Sequence, residues 1–339
     1  MGKRLHQVRL RSVDALTGLL SKLETEYADG ADLYFSYRLL LGRKPDDGTW
    51  QDWAGRIEAG ISRDDIASSL MHSTEFSIKR ETSRTARIDL DRFIIFVDHT
   101  DPHIGGSILK YKTYEPHVTA VLNKLLRKDH IFVDVGASIG WFTLLAASLL
   151  SQGQVIAIEP SHNNLQLLYR SIVANGFANV AILPYAATDT NTIVPLNTGI
   201  SNSVVPTIDD MTAWRGEYVA GIKVDDFLCQ YPKVDVIKMD IEGHELKALR
   251  GMHKAIAAFH PVIVTEFNPV AIGQFARLEP NDLLQEFVNL GYGLSVIQGD
   301  GSELEFARAE DIFEHWRMLN QRLDPVRTSY HLDLIARPA

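Results

Sequence analysis

Four acidic residues in this chain stand at the ends of short apolar runs. Asp134 lies in Ile131-Phe-Val-Asp-Val135 and Glu159 follows Val155-Ile-Ala-Ile158; Asp240 follows Val234-Asp-Val-Ile-Lys-Met239, and Glu266 follows Pro261-Val-Ile-Val-Thr265. Short β-branched runs of this kind read as strands covered on both faces. In an open sheet of parallel strands, ligands sit outside the carboxyl ends. The four carboxylates would then share one rim. Acids beside helix N-termini are often caps, but four on one rim are better explained by a site. After the first run comes Gly136-Ala-Ser-Ile-Gly140, a glycine turn leading into an apolar helix with Phe142, Leu144, Leu145 and Leu149.

The turn discriminates among nucleotide-like ligands. A dinucleotide fingerprint beginning at Gly136 requires glycine at 138 and 141, so that backbone approaches the pyrophosphate and helix packs on strand. The chain has Ser138 and Trp141 there, and no Gly-x-x-x-x-Gly-Lys-Ser/Thr loop. An adenosine ligand without phosphate, S-adenosylmethionine, fits better. Gly136, Ala137, Ser138 and Gly140 would border its methionine and ribose, with Asp134 toward the cationic end. Glu159, followed by Pro160, lies where a ribose-binding acid is expected and can accept from both hydroxyls. The adenine would lie near Tyr185-Ala186-Ala187, with Asp189 as partner for its amino group.

Alternating elements must position these residues. An apolar-faced helix spans Val118–Leu126, and a helix with Leu165, Leu168 and Ile172 on one face is closed by Asn175-Gly176. A third strand is expected at Val180–Leu183, then a polar segment through Asn202, then Val224-Asp-Asp-Phe-Leu228. Helices begin at Glu245 and Asp282, and last strands are expected at Gly293–Ile297 and His331–Ala336. Such repeats predict an α/β fold with a mostly parallel sheet covered by helices on both faces. Residues 30–80 read separately as helices: Tyr34, Tyr37 and Leu41 share a face ended by Gly42, Trp50, Trp53 and Ile57 share the next, and Ser62 with Asp65 resembles a capping box. A helical domain over 1–85 and a sheet domain over 86–339 are expected, joined near Ser77–Arg87. Phe93–Val97 reads as a strand. Asp98, His99, Asp101 and His103 match no defined metal-site spacing, and Gly105-Gly106 reads as a turn.

Composition removes several functions. The formal net charge is −9, and no dense Lys/Arg block is present, which argues against a nucleic-acid surface. Cys229 is the sole cysteine, so no intrachain disulfide can form, and it reads as a small buried hydrophobe in a reducing compartment. The Leu16, Leu19, Leu20 and Leu23 stripe is interrupted by Lys22 and reads as an amphipathic helix, not a signal peptide. His6 stands where a myristoylation signal needs Ser or Thr. No run is long and apolar enough to span a bilayer. A cytoplasmic protein is expected.

Two resemblances sharpen this. Tyr37, Leu41-Gly-Arg43, Pro45-Asp46, Gly48, Trp53, Gly60, Leu70, Ser73, Glu75 and Phe76 resemble a small helical domain of unknown function seen in bacterial surface and glycan-assembly proteins. Tyr114-Glu-Pro116, Val133-Asp-Val-Gly-Ala-Ser-Ile-Gly140, Ile156-Ala-Ile-Glu-Pro160, Asn175, Val224-Asp-Asp226, Asp235-Val-Ile-Lys-Met-Asp-Ile-Glu-Gly243, Glu245, Leu249-Arg-Gly251 and Pro261–Glu266 resemble the FkbM family of S-adenosylmethionine-dependent methyltransferases. Ser138 departs from the asparagine usual there. The resemblance implies a class I, Rossmann-like, seven-stranded sheet and methyl transfer to a hydroxyl of a sugar, glycan or secondary metabolite. Asp240-Ile-Glu-Gly243 replaces the Asp/Asn-Pro-Pro-Tyr common in amine methylation.

Methyl transfer to oxygen is an in-line displacement helped by alignment and by removal of the hydroxyl proton. Asp240 is expected to orient or deprotonate the acceptor, with His244 and Glu266 as further candidates for base or anchor. Lys238 would pair within the acidic rim, and Glu242 would cap the turn. Asp240, Glu242 and Glu266 could alternatively hold magnesium, although no metal site is predicted. The helical domain would dock a glycan or an assembly partner, and acceptor specificity would reside in His99–Tyr114 and Asn197–Gly221. A dinucleotide-dependent oxidoreductase and a non-catalytic scaffold are the rival readings.

Overall fold

The computed structural model describes residues 27–76, 84–198, 203–204, 216–321 and 330–339. The Leu16–Leu23 stripe, residues 77–83 of the expected linker and much of the expected 197–221 specificity loop lie outside the described residues. The chain divides between Ser83 and Arg84 into two compact units.

The first unit is helical. A helix over Gly30–Ser36 opens with a capping box of Asp29 and Asp32 and continues as one π-helical turn, Tyr37–Leu41. Gly42 ends it with φ at +61°, a conformation that glycine adopts without steric cost. Helices Asp47–Glu58 and Arg63–Met71 follow, the second capped by Ser62, whose side chain accepts from Asp65 N. Leu33, Tyr37, Leu41, Trp53, Ile66 and Leu70 form a shared core. Tyr37 and Trp53 are therefore packing residues, and Arg43 bridges Glu75 with two bonds of 2.6 and 2.7 Å.

The second unit begins with an antiparallel pair, β1 (Thr85–Asp89) and β2 (Ile94–Asp98). β3 (Ile131–Val135), β4 (Gln154–Ile158) and β5 (Val180–Leu183) follow. Short strands come next: β6 (Ala186–Ala187), β7 (Thr192–Thr198), β8 (Ser203–Val204) and β9 (Gly216–Ile222). The chain closes through β10 (Val236–Met239), β11 (Val262–Phe267), β12 (Tyr292–Ile297), β13 (Glu303–Glu305) and β14 (Leu332–Pro338). The main sheet has the order β13-β12-β14-β11-β10-β3-β4-β5. From β11 to β5 neighbours are parallel, whereas β14 runs antiparallel between β11 and β12. Seven strands make the expected Rossmann-like methyltransferase sheet. The three-residue β13 adds an eighth by hairpin pairing with β12.

Side chains alternate across this sheet. Ile131, Val133 and Val135 face one apolar cluster, and Phe132 faces another together with Leu144 and Leu145 of helix Trp141–Leu149. Burying each such side chain fully is worth about 1.5–3 kcal/mol. Asp134 shares the Phe132 face, and Lys238 sits beside it in the β3–β10 register. The strand order reverses between β3 and β10, which opens a crevice at their carboxyl ends.

Four sequence expectations need correction. Gly105-Gly106 begins a helix, Gly105–Tyr111, because Asp101 accepts from the amides of His103, Ile104 and Gly105. The polar segment before Asn202 belongs to a second sheet of order β6-β9-β7-β8, in which Leu196 is buried and Ile193 faces out. Helix Ala309–Asn320 was not anticipated; only Ile312 on it is buried. Cys229 is exposed, because it follows the buried Leu228 at the end of helix Asp225–Leu228. Among the described residues no helix is long and apolar enough to cross a membrane.

Candidate active site

An open cleft of about 920 Å³ lies at the reversal of strand order. Its walls include Gly136, Ala137, Ser138, Glu159, Pro160, Tyr185, Ala186, Lys238, Asp240, Glu242 and His244. Residues from the ends of β3, β4, β5 and β10 thus meet, whereas the sequence reading set the acids of β3, β4, β10 and β11 on one rim. Of the other named candidates, Asp134, Gly140, Asp189 and Glu266 are not among the lining residues.

The glycine turn is shaped by neighbouring protein. Gly136 has φ at +83°, and a Cβ there would lie 1.9 Å from the Asp240 carbonyl oxygen. Gly140 has φ at +99°, and its Cβ would meet Leu168 Cδ1 at 2.4 Å. Both glycines are thus required by close packing of the turn on β10 and on helix His162–Asn175. Gly136→Ala is expected to destabilise the unit by more than about 2 kcal/mol through strain and overlap. A urea midpoint equal to wild type would refute this account of the turn.

Glu159 ties the first two strand ends together. Its Oε2 accepts from Ser138 N at 2.8 Å, and its Oε1 accepts from Ser161 N at 2.8 Å and Asn164 Nδ2 at 3.2 Å. Three of about four acceptor directions are used. Burial raises its pKa to about 7 against the opposing effect of those donors. Asp134 is fully buried below the turn, accepts from Thr143 Oγ1 at 2.6 Å, and has its pKa raised by burial. Thr188 Oγ1 approaches Asp189 at 3.4 Å.

Across the cleft, Lys238 Nζ donates to Asp240 Oδ2 at 2.9 Å and lies 4.6 Å from the centre of the Phe142 ring. The expected ion pair is present. Burial opposes the lysine's charge, but Asp240, Glu115 and Asp134 outweigh it and raise its pKa. Glu245 clasps the following turn, accepting from Ile241 N and Gly243 N at 2.9 and 3.2 Å. Glu242 sits at φ +55° with its pKa raised to about 7 by burial and Asp240. His244 is buried, and burial holds its pKa down to about 4. Its imidazole is neutral at neutral pH. Glu266 is 3.1 Å from His331 Nδ1, and burial raises its pKa.

Several residues here were missed. Glu115, at φ +39°, has its pKa raised to about 8 by burial and by Asp240. Tyr114 lines the cleft, and His117 Nε2 is 2.6 Å from Asp333 Oδ2. Their signal was the Tyr114-Glu-Pro116 motif, which local spacing does not link to β10 or β14. The magnesium alternative placed Asp240, Glu242 and Glu266 together; among the described residues no group of three or more His, Cys, Asp or Glu is arranged to hold a metal ion.

The buried carboxyls make stability depend on pH. Glu159, Glu242 and Glu245 have pKa values near 7 and Glu115 near 8, all raised chiefly by burial. The folded state binds more protons than the unfolded chain in this range, so stability falls as pH rises. His117, raised by its bond to Asp333, acts in the same direction. The opposing effect of His244 is complete by its ordinary pKa of 6.5. The melting temperature is expected to fall between pH 6.5 and 8; a rise would contradict these assignments.

Comparison with known proteins places this geometry. Residues 134–294 match the methyltransferase FkbM domain. This stretch is thus similar to the FkbM methyltransferases. The match runs from Asp134 in β3 into β12. Residues 21–79 match a domain of unknown function, DUF4214. A hexuronic acid methyltransferase, AglP of Haloferax volcanii, is 26% identical over 164 residues, covering 44% of this chain and 61% of that protein. The chain thus spans less than two thirds of that curated relative. Methyltransferase FkbM from Methylobacillus flagellatus KT is 17% identical with a TM-score of 0.39, covering 91% of this chain and 60% of that one. SMU.1697c of Streptococcus mutans, a putative methyltransferase in complex with SAH, is 8% identical with a TM-score of 0.39, covering 67% of this chain and 99% of that one. Both structural scores are low and add no weight to the FkbM match.

Proposed function

We propose that this chain transfers a methyl group from S-adenosylmethionine to a hydroxyl of a sugar, glycan or secondary metabolite. The observation that carries the reading is the cleft itself, with Glu159 at one strand end and Asp240 at the other, beside a turn whose Ser138 and Trp141 replace the glycines a pyrophosphate needs. The FkbM match and the sugar-directed activity named for the Haloferax relative support it.

The residues present fit such a cofactor. Glu159 retains acceptor capacity toward a ribose, and Tyr185, Ala186 and Ala187 offer an apolar wall for a purine. When bound, the sulfonium supplies the electrophilic methyl. Asp240 takes the proton that the acceptor hydroxyl loses as its oxygen gains the methyl. Lys238, held from behind, fixes the orientation of that carboxylate. Neutral His244 can accept a hydrogen bond from the acceptor. The helical unit is assigned to docking a glycan or an assembly partner.

Calorimetry with S-adenosylhomocysteine and with NAD separates the reading from its rivals. Binding of the first alone is expected; binding of NAD alone would favour an oxidoreductase, and binding of neither a scaffold. Glu159→Gln should weaken S-adenosylhomocysteine by about 10- to 100-fold, the 1.5–3 kcal/mol of a charge-assisted hydrogen bond. Unchanged affinity would remove Glu159 from the ribose.

A further inference from the structure

The cleft has a second apolar wall, at the opposite end from Tyr185. Ile104, Tyr114, Ile139, Trp141 and Phe142 line it. The sheet order β10-β3-β4-β5 sets its direction: the Phe142 ring lies 4.6 Å from Lys238 Nζ of β10, whereas Tyr185 follows β5. Tyr114 packs on this cluster, with its ring centre 6.2 Å from that of Phe142 and 6.4 Å from that of Trp141. Trp141 and Phe142 are only 7% and 4% exposed. Tyr114 is partly exposed, so it is the ring of the three with most surface to offer a ligand.

The position of Tyr114 is set from the helix that follows the glycine turn. Trp141 Nε1 donates to Thr119 Oγ1 at 3.0 Å, and that hydroxyl donates to the Tyr114 carbonyl oxygen at 2.9 Å. Thr119 belongs to helix Pro116–Leu125, which Glu115 opens at φ +39°. The chain therefore turns sharply just after Tyr114, in a backbone region costly for any residue but glycine. Trp141 stands where a dinucleotide site needs glycine, and here it has a use of its own. Its ring packs on Tyr114, and its indole N–H fixes the segment that carries that residue.

An aromatic face attracts a cation through its quadrupole. Lys238 shows this within the same corner, sitting over Phe142 while Asp240 balances its charge at 2.9 Å. Burial, Glu115 and Asp240 raise the Tyr114 pKa well above that of an ordinary phenol, so the side chain stays uncharged and acts through its ring face. A ligand with its purine at Tyr185 and its ribose at Glu159 places its sulfonium at this end of the cleft.

We propose that the Tyr114 ring recognises the positive charge of the methyl donor, and that Trp141 holds it there through Thr119. The inference rests on the methyl-transfer reading above.

The experiment measures calorimetric affinities of the full chain for three probes. They are S-adenosylmethionine, sinefungin, whose ammonium stands in place of the sulfonium, and S-adenosylhomocysteine, whose thioether is uncharged. Y114F keeps the ring and is expected to hold the ratio of S-adenosylmethionine to S-adenosylhomocysteine affinity within about twofold of wild type. Pentafluorophenylalanine at position 114 keeps that shape and reverses the quadrupole. It is expected to weaken S-adenosylmethionine and sinefungin by about 3- to 30-fold relative to S-adenosylhomocysteine, as loss of a cation–π contact requires. T119V removes the hydroxyl link at nearly constant volume and is expected to lower the same ratio by a smaller factor. An equal change for charged and uncharged probes, or no change, would show a packing role and overturn the proposal. A ratio that Y114F lowers as far as pentafluorophenylalanine does would also overturn it, because the hydroxyl and not the ring face would then be responsible. An unchanged ratio in T119V overturns the link to Trp141. Where the position-114 variants do not bind S-adenosylhomocysteine, the T119V ratio decides. Failure of the wild type to bind S-adenosylhomocysteine would instead overturn the cofactor reading.

Discussion

Lys238→Met is expected to destabilise the second unit by about 3–5 kcal/mol, the cost of removing one partner from a buried charged group. The lysine is 5% exposed and stands among Asp240, Glu115 and Asp134. Methionine would fill much of the volume and keep the contact with Phe142, so the loss would be electrostatic rather than a cavity. Three carboxyl groups would then share a buried region with no cation beside them. Two consequences follow. The deficit should shrink at acid pH, where Glu115 and Asp134, raised by burial, protonate, and Asp240→Asn should partly restore the stability of the Lys238→Met protein, because removing both partners costs less than removing one. Urea denaturation at pH 5.5 and 8 checks both. A Lys238→Met midpoint equal to wild type at pH 8 would show that this pair does not hold the site together.

Asp240→Asn alone is expected to lower kcat by about 10²- to 10⁴-fold, the range for loss of a positioned general base. Asparagine keeps the shape of the side chain and can still accept from Lys238 Nζ through its carbonyl oxygen. The strand end should stay in place, since the Asp240 amide donates to the Val135 carbonyl at 3.0 Å. S-adenosylhomocysteine affinity is therefore expected to change by less than about tenfold, under 1.4 kcal/mol. The measurement is single-turnover transfer to any acceptor the wild type methylates, with calorimetric affinity alongside. Normal affinity with full turnover would assign the proton to another group. Glu115 would then be the first to test, because Asp240 is the charge that acts on it most strongly.

Part of this was legible in the residues alone. Short continuous apolar runs placed β3, β4, β10 and β11, because strands buried on both faces need continuous β-branched sequence. The glycine turn and the acids beside it identified the cleft, since those features are adjacent in the chain and local spacing carries them. Ser138 and Trp141 argue against a pyrophosphate without any structure. The helical caps at Gly42 and Ser62 were equally local.

Other features depend on contacts between segments far apart in the chain. Gly136 is a glycine because β10 passes 100 residues later and its Asp240 carbonyl occupies the space of a Cβ. Burial of His244, the clasp made by Glu245 and the exposure of Cys229 follow from packing, not from spacing. Glu115, His117, Glu266, His331 and Asp333 come from three distant segments and meet only because β14 inserts antiparallel beside β11. The sequence by itself determined the strands, the turn and the type of ligand the turn refuses. Only the tertiary structure decided which carboxyls are buried together and which cation they share, because electrostatic environment is set by three-dimensional proximity and desolvation rather than by chain order.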